Sequence, residues 1–339
     1  MNRVELVTAF LSYKAANKNR SKSTIGNYRL ALERLLEFLD GRDPRDATLE
    51  DLVAFSGPWL IKRGLTPSGR RPQVSAVKEF GRWMVMMKYV DASPAELLEH
   101  PRTGRRLPHV MRLASAEKLI WAPDLNTFEG VRDASILSIL VGCGVRVSAV
   151  VRLNRSSLIE DKVEGRPRIF IKVIEKGDRE RMVPVPQEAD LMLRVYLEHP
   201  ALKEIDTEIS GGDHVLFVSL MNRNVQKSEY RGERRRLDRR AINDLVGKYG
   251  RRAGIPIDQL HPHAARHLYG AELTESDVHL RSTQELMGHK DPKSTEIYTS
   301  VAIRKLVRDV DRANPLAKMS TPVTELLKRL QSSKPTSPA

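Results

Sequence analysis

The sequence predicts a mainly α-helical protein with one small antiparallel β-sheet, laid out as an N-terminal helical bundle followed by an α+β domain. Three observations lead there. Apolar residues recur at helical spacing through four successive segments before residue 90. Two short β-rich runs, Arg168–Ile174 and Arg181–Val185, flank a turn at Lys176-Gly177-Asp178 and read as a hairpin. At 339 residues the chain is long for one compact domain, and a hydrophobic content of 40% is enough for two cores.

Taken in order, Val4, Leu6, Val7, Phe10 and Leu11 form the stripe of a first helix. A second opens near Ser23-Thr24, carries Ile25, Tyr28, Leu32, Leu35, Leu36 and Leu39, and stops at Asp40-Gly41. Thr48-Leu-Glu-Asp51 has the form of a capping box and opens a third helix through about Lys62. After a connection at Pro67-Ser68-Gly69, Gln73–Tyr89 is the fourth, and short connections between four helices make a bundle. His100–Pro108 combines proline, glycine and three arginines without an apolar period, the composition of a linker.

Beyond it, Ala116–Ile120 reads as a helix, and Arg132–Val141 as a strongly apolar one broken at Gly142-Cys143-Gly144. Val215–Leu220 reads as a further strand or the edge of a loop. Asp238–Ala253 reads as a helix burying Ile242, Leu245, Val246 and Tyr249, and Val301–Arg312 as another. Val323, Leu326, Leu327 and Leu330 predict a short amphipathic helix that needs a surface to dock on, followed by a disordered tail. The expected division is a bundle at 1–105, a linker at 106–114, a second domain at 115–313 and a tail at 314–339.

Lys and Arg total 57 against 43 Asp and Glu, a formal charge of +14. Arginine-rich blocks such as Arg231-Gly-Glu-Arg-Arg-Arg236 point to a polyanion partner. Candidate phosphate-facing residues are Arg20, Lys22, Arg70, Arg71, Lys78 and Arg82 in the bundle, Arg105 and Arg106 in the linker, and Arg235, Arg236, Arg239 and Arg240 before and within the late helix. An ordinary solvated surface explains these nearly as well. The single Cys143 allows no internal disulfide and reads as an inert core thiol. No signal-peptide pattern and no apolar run of membrane-spanning length are present, so the expected location is cytoplasmic and nucleoid-associated. No phosphate loop, dinucleotide fingerprint or metal-ligand cluster occurs, so no cofactor and no metal are expected.

The stretch His261–Val301 concentrates the chemistry. His263 and Arg266 stand at i, i+3 on one helix face; His289 follows Met287-Gly288, and Tyr298 comes nine residues later. Breaking a phosphodiester without a metal needs cations on the non-bridging oxygens, a nucleophile and a proton for the leaving oxygen. Arg146 and Arg266 are candidates for the first task, since guanidinium matches two phosphate oxygens and stays charged. Tyr298 is a candidate nucleophile, and Lys176 at the hairpin tip a candidate proton donor. Taken one at a time, each of these is more often a surface or core residue.

Together they carry a resemblance. His263-Ala-Ala-Arg266-His267, then Leu280-Arg-Ser-Thr-Gln-Glu-Leu-Met-Gly-His289, then Ser294-Thr-Glu-Ile-Tyr298-Thr resembles the tyrosine recombinase, or phage integrase, family. Upstream, Gly142-Cys-Gly-Val-Arg146-Val-Ser148 is similar to its first arginine box, and Glu175-Lys176-Gly177 to its hairpin lysine. Met287 stands where leucine is usual, and Ala149 where the family usually has an acidic residue.

The resemblance implies a SAM-like core-binding bundle and an α+β catalytic domain that close as a clamp on double-stranded DNA at a core recombination site. It implies that Tyr298 attacks a phosphate to form a 3′-phosphotyrosine, freeing a 5′-hydroxyl, without metal or ATP. Arg146 and Arg266 would hold the phosphate, Lys176 protonate the leaving oxygen, His263 act as acid/base and His289 hydrogen-bond the phosphate. It further implies a homotetramer joined through the tail helix, with a second recombinase or accessory DNA-binding factor as a further partner. The chain resembles simple Xer-like or transposon-borne members more than lambda-type integrases. The competing expectation is an architectural DNA-binding protein of the same fold with weakened chemistry; a relaxase of type IB topoisomerase character is a third.

Overall fold

A computed structural model describes residues 1–17, 22–104, 110–174, 180–222, 225–288, 300–321 and 325. The chain falls into two units, Met1–Arg106 and Leu107–Ala339.

The first unit holds α1 (Arg3–Asn17), α2 (Lys22–Phe38), α3 (Leu49–Ala54), α4 (Leu60–Lys62) and α5 (Pro67–Met86). The predicted stripes supply its core, Val4 excepted, which is exposed: Leu6, Phe10, Leu32, Leu35, Phe55, Leu60, Val74 and Phe80 are all but removed from solvent. Phe10 presents its ring edge-on to Phe80 and Trp83 at 5.3 and 5.6 Å, the geometry the ring quadrupole favours. The Thr48 capping box forms. The Thr48 hydroxyl accepts from Asp51 N at 3.2 Å, and the Asp51 carboxylate accepts from Thr48 N at 3.0 Å.

Two expectations are corrected here. The third helix does not run unbroken to Lys62. Pro58 removes a backbone donor, and the chain widens into a π-helical turn over Phe55–Trp59 before α4 resumes. Pro67-Ser68-Gly69 is not a connection but the first turn of α5. Thr66 caps it by accepting from Gly69 N, and Pro67 occupies the first helical position, where a missing N–H costs nothing.

The second unit is built around a helix with no solvent-facing side. α6 (Leu113–Trp121) leads to α7 (Phe128–Gly142), in which every residue from Gly130 to Gly142 is buried. Its two buried charges are matched inside the unit. Arg132 bonds Asp133 at 2.6 and 2.8 Å and donates to the Val218 carbonyl at 2.9 Å, while the Tyr249 hydroxyl donates to the other Asp133 oxygen at 2.9 Å. α8 (Val147–Val151) follows, then a sheet of β1 (Leu158–Val163), β2 (Arg166–Ile174) and β3 (Glu180–Pro184), antiparallel in the order β1-β2-β3. Its register sets Leu158 opposite Ile171 and Ile171 opposite Val183. Ile169, Ile171 and Val173 face the main core.

The β1 strand is absent from the sequence reading. Its run Glu160-Asp161-Lys162 is an exposed, charged edge, and it turns into β2 through Glu164-Gly165, both at positive φ, the turn a tight hairpin needs. α9 (Gln187–Leu197) is a second addition, burying Ala189, Met192, Leu193 and Tyr196 at helical spacing. The Val215–Leu220 run resolves as irregular chain, buried through Val218 and exposed at Leu220: Val215 and Val218 make only isolated bridges, to Asn154 and Arg236.

α10 (Pro200–Lys203) and α11 (Arg239–Arg252) complete the middle of the unit, and α11 buries Ile242, Leu245, Val246 and Tyr249 as expected. α12 (Pro262–Glu275), α13 (Leu280–Met287) and α14 (Ser300–Ala313) follow. The packed core then continues past residue 313. Asn314, Leu316, Met319 and Thr321 are buried, Leu316 sits against Gly142, Lys318 pairs with Glu272 at 2.5 Å, and Trp121 Nε1 donates to the Ser320 carbonyl at 2.5 Å. Residues 314–321 are therefore packed onto the second unit, with Asn314, Leu316, Met319 and Thr321 inside it, rather than a free tail. Val323, Leu326, Leu327 and Leu330 lie outside the described residues. Among the described residues, no helix is long and apolar enough to cross a membrane.

Candidate active site

The site is assembled from three chain turns. α12 opens on His261, whose Nδ1 accepts from Ala264 N at 3.0 Å, with Pro262 at the first helical position. His261 thus spends a ring nitrogen on a helix cap, which accounts for the His261-Pro-His263 pair without a metal. The helix then places His263 and Arg266 one turn apart on the same face.

Arg266 is 6% exposed, and its position is set by backbone oxygens. Nη1 donates to the Gly144 carbonyl at 2.5 Å and Nη2 to the Met287 carbonyl. Both carbonyls lie where a helix ends: Gly144 just beyond α7, with φ of +57°, and Met287 at the last turn of α13, ahead of Gly288 with φ of +59°. Glycine adopts that left-handed conformation without steric cost, and helix C-termini carry partial negative charge that favours a cation. At Gly144 a side chain is excluded twice over, because a Cβ would also lie 2.2 Å from the Tyr269 ring. Arg181 on β3 donates to the Leu286 carbonyl at 3.0 Å, so two arginines satisfy successive carbonyls at the end of α13.

Arg146 is the residue immediately before α8, with extended backbone and a half-buried side chain. Its carbonyl accepts from Ala149 N at 2.8 Å, which starts the helix. Ala149 itself points into the core at 3% exposure, so a carboxylate at this position would need burial. Partial burial lowers the His263 imidazole below its ordinary range, and the positive fields of His261, His267, Arg266 and Arg146 lower it further. Arg146, His263 and Arg266 therefore share one electrostatic neighbourhood. Burial pushes the Cys143 thiol up to about 12, which fits an inert core thiol.

The remaining expected site residues, Lys176, His289 and Tyr298, lie outside the described residues. Their attachment points do not. Lys176 falls between Ile174 and Glu180, the last paired residues of β2 and β3; His289 follows Gly288; and Tyr298 precedes the start of α14 by two residues. Sequence reasoning missed the acceptor role of the Gly144 and Met287 carbonyls and the Arg181 contact. The two glycines flanking Cys143 were the one signal that could have found the first of these.

The expected DNA-facing cations divide into groups. Arg20, Arg105, Arg106 and the Lys22 side chain lie outside the described residues. In the first unit, Lys78 donates to the Glu96 and Leu98 carbonyls at 2.7 and 2.8 Å, Arg82 pairs with Glu79 and Glu96, and Arg70 donates to the Ser56 carbonyl, while Arg71 is exposed. In the second, Arg235 stacks over Tyr230 at 3.9 Å. Arg236 is drawn into the fold, donating to the Val151 and Leu153 carbonyls and to Asn154. Arg239 and Arg240 stand exposed in the first turn of α11.

Comparison with known proteins places this geometry. Tyrosine recombinase XerC of Shewanella amazonensis is 29% identical over 91% of this chain and 95% of its own length. Tyrosine recombinase XerD of Staphylococcus aureus is 27% identical over 92% and 99%. A crystal structure of a lambda integrase dimer bound to a COC′ core site shares the fold with a TM-score of 0.61 at 14% identity, covering 86% of this chain and 96% of that one. The mainly α fold with a small antiparallel sheet, expected from the sequence, is the fold of these proteins. Residues 7–88 match the N-terminal SAM-like domain of phage integrases and residues 109–304 the phage integrase family itself. With that match running over more than half of its length, the chain belongs to the phage integrase family.

Proposed function

We propose that the chain is a site-specific DNA recombinase that cleaves and rejoins double-stranded DNA through a 3′-phosphotyrosine. The observation that carries this reading is the seating of Arg266 on the Gly144 carbonyl, two residues before Arg146, and on the Met287 carbonyl, two residues before His289, with His263 one turn away on the same helix. The Tyr298 phenolic oxygen attacks phosphorus, and the bond to the 5′ oxygen breaks. Arg266 and Arg146 take up the charge that grows on the non-bridging oxygens. His263, whose proton affinity is lowered by burial and nearby cations, accepts the tyrosine proton; Lys176 gives a proton to the leaving 5′ oxygen, and His289 hydrogen-bonds the phosphate. The phosphotyrosine conserves the bond energy, so the reverse attack by a 5′-hydroxyl reseals a strand.

Binding would draw on the first unit and the start of α11, where Arg71, Arg239 and Arg240 are available to phosphates. The tail helix around Leu326 would dock on a neighbouring copy in a DNA-bound tetramer, with a second recombinase or an accessory factor as an alternative neighbour.

A nicked suicide substrate carrying the cognate site tests the chemistry. The wild-type chain forms a covalent protein–DNA adduct on a denaturing gel, and Tyr298→Phe binds without forming one. Absence of the adduct from the wild type would sink the reading. Removing residues 322–339 tests the tail and should impair strand exchange while leaving cleavage intact. A cut at 314 is unsuitable, because it strips Leu316 and Met319 from the core and removes the Lys318 pair with Glu272.

A further inference from the structure

The helix that begins two residues after Tyr298 has a narrow seat. Of its described side chains, Val307 packs against Val163 and Phe170 on the outer face of the sheet, and Val310 and Ala313 pack against Tyr269, Leu273 and Met287. Between these patches Asp311 meets the guanidinium of Arg168 on β2, which is itself 6% exposed. The polar surroundings of this pair are incompletely matched. Arg168 Nη1, Asp311 Oδ1 and Oε2 of Glu188, whose charge also acts on Arg168, are buried without hydrogen-bond partners. A half-satisfied, largely buried ion pair is a weak source of net stability, yet it favours one register, because a shifted helix would carry the Asp311 carboxylate away from its cation.

We propose that Arg168 is a positioning residue for the nucleophile: its contact with Asp311 sets where α14 sits on the sheet and thereby where Tyr298 is delivered. This rests on the reading of Tyr298 as nucleophile. The surrounding charges make the contact separable from folding. Asp190 and Glu188 of α9 also act on Arg168, with Arg166 opposing them; Asp190 is shared with Arg194 at 2.6 Å, and Asp309 pairs with Arg312 at 3.6 Å. When Asp311 is neutralised, the Arg168 charge still faces two carboxylates, so Asp311→Asn should fold. Arg168→Met would instead leave carboxylates facing one another without their cation and is the wrong probe.

The test uses the full chain and the nicked suicide substrate. Single-turnover adduct formation is followed against DNA concentration, with hydrogen exchange of the α14 amides measured in parallel. Asp311→Asn should lower the maximal adduct rate about ten- to a hundredfold, the scale of a misplaced reacting group. The half-saturating DNA concentration and the denaturation midpoint should not move, and faster exchange should be confined to α14. Asp311→Glu, which keeps the carboxylate, should recover most of the rate. Wild-type rate and wild-type α14 exchange in Asp311→Asn would overturn the proposal, as would faster exchange spread evenly over the unit. If Tyr298→Phe still forms an adduct, the nucleophile reading fails instead, and the exchange arm alone decides whether Arg168 seats the helix.

Discussion

Two buried arginines of the second unit, Arg266 and Arg168, are equally withdrawn from solvent and differently held. Arg266 rests on the carbonyls of Gly144 and Met287, which are neutral dipoles at helix ends. Arg168 faces the carboxylates of Asp311, Glu188 and Asp190, which are full charges. Carbonyls orient a guanidinium without a formal counter-charge of their own. Carboxylates neutralise it and turn it into a structural tie. On the proposed roles, the chemistry of the partner, rather than depth of burial, would separate an arginine that receives phosphate from one that holds a helix.

The most damaging way to break this contrast is Arg266→Ala. Adduct formation should fall by about 10²–10³, the scale of losing one strong donor to a developing oxyanion. Arg266→Lys keeps the charge and loses the fork, and should stay impaired; near-normal rates from lysine would show that charge alone suffices. Next comes Gly144→Ala, which strains the left-handed φ and drives a Cβ into the Tyr269 ring. A cost of about 2–4 kcal/mol is expected in urea unfolding, together with loss of the adduct. Gly165→Ala is the control: it has a comparable φ of +76° with open space around it, and should cost only about 1 kcal/mol.

A smaller effect concerns pH. Burial and nearby cations depress the His263 imidazole, so its neutral form persists to lower pH than that of a free histidine. Since the proposed step uses neutral His263, the acid limb of the adduct rate should fall below pH 6.5, the ordinary imidazole value; a limb above it would contradict the role. The smallest effect is expected from Arg239→Ala combined with Arg240→Ala. Affinity should weaken and the salt slope should drop by about 0.9 for each phosphate no longer neutralised, with the rate at saturating DNA unchanged.

Of the candidate site, the His263 and Arg266 part was legible, because spacing alone puts the two on one helix face. Helical stripes such as Leu6, Phe10, Leu32 and Leu35 were equally plain, since burial periodicity follows directly from residue order. What stayed hidden depended on partners distant in the chain. β1 is written in exposed charges because it is an edge, and only pairing with β2 makes it a strand. Arg236 reads like its neighbours in an arginine run until the fold supplies the Val151 and Leu153 carbonyls. The backbone oxygens that hold Arg266 carry no letter of their own; only the glycine at 144 hints at them. Pro67 misled because the same residue that ends helices also opens them.

The strap of residues 314–321 bears on how the protein is made. Leu316 closes on Gly142, two residues before the carbonyl that orients Arg266, and Lys318 closes on Glu272 of the helix bearing His263. During synthesis these partners leave the ribosome long before the strap does. The chain would therefore carry its DNA-binding surfaces before its reactive centre is braced, and a nascent or prematurely ended product could hold DNA without being equipped to cut it.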